Sequence, residues 1–95
     1  MRTRLKTLAH NSLIAEVLRN IIEEDRFRIQ MACLTADSSI AEGIIQDCRE
    51  IAEESVLSIR EVFEHGAYAA QYMAVHGRFS FAEWRTHMRL WIGQK

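Results

Sequence analysis

The sequence predicts an all-α protein, an antiparallel hairpin of two long helices followed by two short ones, in a single domain over residues 1–95. Three observations carry that expectation. Apolar residues recur at helical spacing through most of the chain. Proline is absent and glycine occurs only 4 times, fewer breakers than a strand-and-turn architecture needs. Serine followed three positions later by glutamate opens two apolar runs, at Ser39/Glu42 and Ser80/Glu83, the spacing of a capping box.

Residues 2–10 carry Arg2, Arg4 and Lys6 with Leu5 and Leu8, and read as a solvated, partly ordered basic arm. Three charges are few for holding nucleic acid or anionic lipid. Asn11 or Ser12 then caps the first helix, where Leu13, Ile14, Val17, Leu18, Ile21 and Ile22 lie on adjoining ridges and Glu23, Glu24, Asp25 and Arg26 lie outside. Phe27, Ile29 and Met31 alternate with Arg28 and Gln30, a period of two that also suits a strand. No other segment offers it a partner strand, so the helix is expected to continue to about Thr35.

Thr35-Ala36-Asp37-Ser38 makes a short connection, whose polar side chains compete for backbone hydrogen bonds. A second helix is expected from Ser39 to His65, closed by Gly66. Ala41, Ile45, Cys48, Ala52, Ser55, Ile59 and Val62 alternate in steps of four and three, and Ile44, Ile51, Val56 and Phe63 widen that stripe. Gly43 would cost about 1 kcal/mol relative to alanine there. Such a helix is about 40 Å long, against about 32 Å across for a compact chain of this length. One end should overhang. Cys48, Ala52 and Ser55 form a small-residue strip beside Ile59, which lets another helix approach closely; the chain's own first helix is the expected occupant, and a second copy of the chain, with this strip as the dimer interface, the competing one.

After Gly66 a short third helix holds Tyr68, Tyr72 and Met73 and ends at His76-Gly77. The last helix, opened by Ser80 and Glu83, places Phe81, Trp84, Met88 and Trp91 along one side with Arg85 and Arg89 adjoining. Six of the 8 aromatic residues fall between Tyr68 and Trp91.

Several function classes find little support in this pattern. Net charge is −1, divided as +2 over residues 1–36 (six basic, four acidic), −6 over 37–65 (two basic, eight acidic) and +3 over 66–95 (four basic, one acidic). Opposite-sign segments can dock on each other, and an overall charge near zero gives a weak phosphate footprint. The last two segments have the size of a helix–turn–helix, but Met73 and Glu83 fall where that motif wants a small and an apolar residue, so a DNA-binding or transcription-regulating protein is an alternative that stands behind a structural subunit. Cys33 and Cys48 lack metal or redox spacing and are expected to be buried reduced thiols. His65, His76 and His87 recur every eleven residues without a ligand motif, so no metal and no cofactor is expected. No serine or cysteine is placed beside a base, so no catalytic residues are assigned and no enzyme activity is expected. Glu16 interrupts the apolar run after the basic start, no cleavage site follows, and no segment is apolar enough to span a bilayer, which together predict a cytoplasmic protein.

What remains is binding to another protein. Trp, Tyr, Met and Arg concentrate binding energy at interfaces, and Tyr72, Trp84, Arg85, Met88, Arg89 and Trp91 supply all four types. The chain is therefore expected to be a small regulatory module, an inhibitor, anti-activator or adaptor, working as a homodimer; a structural subunit of a larger assembly is the remaining alternative.

Overall fold

Four helices make up the structure: α1 (Arg2–Thr35), α2 (Ser38–Glu54), α3 (Ile59–His76) and α4 (Phe81–Gly93). The computed structural model describes residues 2–95, with side chains from Ser12 onward, and no strand occurs among them. The side chains of the basic arm, residues 2–10, lie outside the described residues.

The first helix is already under way at Asn11 and Ser12, so neither is its cap. It runs unbroken through Phe27–Met31, where Phe27 and Met31, one turn apart, enter the core and Ile29 stays exposed. The alternation there is thus two turns of helix with one outward residue. At Thr35 the chain turns with Ala36 at φ 55, a left-handed conformation that an alanine adopts at some cost. Asp37, not Ser39, caps α2: its Oδ1 accepts from Ser39 N at 2.8 Å and Ile40 N at 3.1 Å. A carboxylate two residues earlier takes those amide protons and also suits the positive helix end. Glu42, freed from a capping box, pairs with Arg28 of α1.

The helix expected over 39–65 is two helices. Ser55 is extended at the end of α2, and its Oγ accepts from Leu57 N at 3.3 Å. Ser58 then caps α3 in a complete box: Glu61 N donates to Ser58 Oγ at 3.1 Å and Ser58 N to Glu61 Oε1 at 3.4 Å. Two serines thereby offer the backbone a local alternative to helical bonding on either side of β-branched Val56. The break redirects the chain so that Val62 and Phe63 enter the same core as Ile44 and Ile45.

Gly66 therefore ends nothing. It lies inside α3, where a Cβ would stand 3.1 Å from Trp84 Cζ2 and 3.5 Å from Cys48 Sγ. Its missing side chain makes room for the indole, whose Nε1–H donates to the Gly66 carbonyl at 3.0 Å. Gly43 has the same use in α2, with Phe81 Cε2 3.0 Å from where its Cβ would be. The helix does end at His76, with Gly77 as its C-cap. Ser80 caps α4, accepting from Glu83 N at 3.3 Å.

The core is built from Met31, Ile44, Ile45, Cys48, Val62, Trp84 and Met88, all fully buried, with Phe27 stacked on Phe63 at 4.5 Å. Glu24 meets Arg49 at 2.7 Å and Arg28 meets Glu42, tying α1 to α2. The Glu42 hydrogen bond is the chief reason the Arg28 pKa is raised. The molecule measures 58 × 28 × 18 Å with a radius of gyration of 16.2 Å, against about 12 Å for a compact chain of this length. A helix does overhang, but it is α1. Its 34 residues extend about 51 Å, and among its described side chains the core residue nearest the N-terminus is Phe27.

Candidate partner-binding site

Helix α3 is amphipathic in two directions. Val62, Phe63, Gly66, Ala69 and Ala70 face the core, whereas Tyr68, Tyr72 and Val75 point into solvent. The two tyrosine rings are 6.5 Å apart and Tyr72 packs on His76 at 4.2 Å. With α4 alongside, Tyr68, Ala69, Tyr72, Met73, Glu83 and His87 line a groove of ≈ 520 Å³. Its walls are aromatic and thioether surface, with one carboxylate and one imidazole at the α4 side, a lining suited to an apolar side chain or helix face.

His87 of the groove also belongs to a set of packed rings. His65 lies on Trp91 at 3.9 Å and on His87 at 5.1 Å, and the Nε2 atoms of His65 and His87 are 2.9 Å apart. One of those nitrogens must donate and the other accept, so the contact requires at least one neutral ring. Burial lowers the His65 pKa, and the charges of His87 and Lys95 lower it further. Lys95 Nζ stands 5.3 Å from the centre of the Trp91 ring.

Of the residues expected to bind a partner, Tyr72 lines the groove, and Trp91 is half-buried against His65 and is not part of the groove lining. Trp84 and Met88 are core: both are fully buried and present nothing to a partner. Arg85 and Arg89 are exposed but engaged. They reach Asp47 Oδ1 of α2 at 3.5 Å and 3.3 Å, and Arg85 also lies over the Phe81 ring at 5.6 Å. Asp47 is the one buried charged residue described, and its Oδ2 has no partner. These arginines therefore fasten α4 to α2.

The expected dimer strip is not a strip. Cys48 is fully buried, Ala52 is half-buried in α2, Ser55 ends that helix and Ile59 begins the next. The break removes the common face, and Cys48 packs near Gly66 and Trp84 of its own chain. Burial also raises the Cys48 pKa, leaving a protonated and unreactive thiol. Cys33, expected inside, is exposed.

Two features escaped the reading of the sequence. The eleven-residue spacing of the histidines does not show which of them meet; α3 and α4 bring His65 to His87 and leave His76 on Tyr72. Asp47 belongs by composition to the acidic stretch 37–65, although it falls at the buried spacing between Ile44 and Ile51. Among the described residues, no group of three or more His, Cys, Asp and Glu could hold a metal ion, and no helix is long and apolar enough to cross a membrane. A scan against family models and searches among curated proteins and solved structures return no match for this chain.

Proposed function

We propose that this protein is a small regulatory module that binds another protein by receiving an apolar helical segment in the groove between α3 and α4. The observation that carries this reading is the uncovered wall of Tyr68 and Tyr72 beside Met73, opposite Glu83 and His87. Exposed aromatics that are rigid and lie side by side are what a hot-spot cluster requires. The groove has a rigid floor, because Trp84 and the Asp47–Arg89 pair fix α4. The opposed order of the Glu24–Arg49 and Arg28–Glu42 pairs supports an antiparallel hairpin of α1 and α2 as the frame. In this reading the module is an inhibitor, anti-activator or adaptor of the cytoplasm, where two unbridged cysteines are ordinary.

The test is comparative capture. Cross-linking in the source cells followed by mass spectrometry should give one stoichiometric partner for the unaltered chain and for Glu53→Lys on the far side of α2. Tyr72→Glu should lose it. Equal capture by all three would overturn the assignment of the groove.

A further inference from the structure

Leu13, Ile14, Val17, Leu18, Ile21 and Ile22 of α1 remain between 44% and 62% exposed. Together they leave roughly 600 Å² of aliphatic surface on three turns of one helix, the upper end of what a monomer keeps in water. None of α2, α3 or α4 buries it. The groove reading gives it no role either, since the stripe belongs to the overhanging half of α1.

We infer that this stripe pairs with the same stripe of a second copy of the chain, the two α1 helices crossing in an isologous dimer. The spacing selects the geometry. Leu13, Val17 and Ile21 form one four-residue ridge and Ile14, Leu18 and Ile22 the next, while the three-and-four alternation Ile14, Val17, Ile21 spans a single heptad before Glu24 and Asp25, short of the several that a coiled coil needs. Two such ridges with a groove between them pack onto ridges of the same kind at a crossing angle of about 50°. A second copy supplies that kind by identity, with the twofold axis between Val17 and Leu18, so that Leu13 of one copy lies level with Ile22 of the other.

Area and charge agree. Two such faces bury roughly 1,200 Å² in total, the lower end of a stable interface. At 100° per residue Glu16 and Arg19 fall on the side of the helix away from the stripe, so the pairing brings no like charges together. Between Leu13 and Ile22, Glu16 and Arg19 balance, and the whole of α1 carries six basic against four acidic residues, too small an excess for the strongly basic polar face of a helix lying on an anionic membrane. The occupant is thus a second copy rather than a lipid surface.

The experiment is molar mass by light scattering after gel filtration, on the full chain from micromolar to hundreds of micromolar. The expected result is a concentration-dependent rise to double the 11.0 kDa of one chain. Leu18→Glu, at an exposed position that leaves helicity intact, should weaken the dimer at least about a hundredfold by removing two buried leucines per pair, while Arg19→Glu should leave it unchanged. A second arm needs no loss of packing: in a Cys33→Ser background, Val17→Cys should trap a disulfide dimer and Glu16→Cys should not. A monomer at every concentration, a dimer insensitive to Leu18→Glu, or a monomer that instead sediments with phosphatidylserine vesicles would overturn the inference.

Discussion

The two halves of α1 carry similar apolar content and meet different fates. From Phe27 onward the helix buries Phe27 and Met31 against α2 and α3, whereas from Leu13 to Ile22 six aliphatic residues stay in water. The difference lies not in α1 but in α2, which stops at Glu54 where Ser55 and Ser58 redirect the chain. Helical periodicity states that a face needs cover. It does not state which helix supplies it.

The sharpest break in that comparison comes from the core half. Trp84→Ala should destabilise the fold by about 3–5 kcal/mol, through lost burial and a cavity beside Gly66, measured as a lower denaturant midpoint; Leu18→Ala at concentrations where the chain is monomeric should cost only about 0.5 kcal/mol or less. Equal losses would mean that the two halves are equally packed.

Next in size is the clamp on α4. Arg85→Glu with Arg89→Glu would set two carboxylates beside buried Asp47, and should cost about 2 kcal/mol, a figure discounted for the exposure of both arginines. Arg85→Gln with Arg89→Gln should cost less. A double glutamate variant as stable as the parent would show that these pairs do not hold α4.

The histidine contact adds a pH dependence. The His65 pKa is lowered in the folded chain, so the unfolded chain binds more protons in the interval below the ordinary histidine value of about 6.5. Stability from the neutral ring is present above that value and is lost as pH falls through the lowered pKa. His65→Phe, which keeps a ring on Trp91, should flatten the denaturant midpoint between about pH 7 and about pH 5.5 relative to the parent; unchanged slopes would count against the pair. Smallest is the turn: Ala36→Gly removes a left-handed alanine and should raise stability by about 0.5 kcal/mol after the added freedom of the unfolded glycine is set against it.

Much of the fold was legible because helix ends have local chemistry. The ends at Thr35 and His76 and the cap at Ser80 follow from turn residues and from Ser–x–x–Glu spacing. The break at residues 55–58 was hidden, since the stripe Cys48, Ala52, Ser55, Ile59 and Val62 continues through it as if the helix did. A capping box at Ser58 and Glu61 was there to be read. The site was less legible: Trp84 and Trp91 share a face and a composition, and only the space left by Gly66 decides that one is core and the other stacks on His65. Tyr72 was named for its residue type alone, and α3 leaves its ring exposed. The stripe of α1 was seen, but assigned to the interior of a hairpin whose second helix is too short to cover it.

The most direct measurement is hydrogen exchange along α1 at two protein concentrations, one micromolar and one of hundreds of micromolar. Amides near Phe27–Leu34 should be protected at both, while those of Leu13–Ile22 should be protected only at the higher. Equal protection of both segments at both concentrations would contradict the division of α1 into a half that completes the core and a half that waits for a second copy.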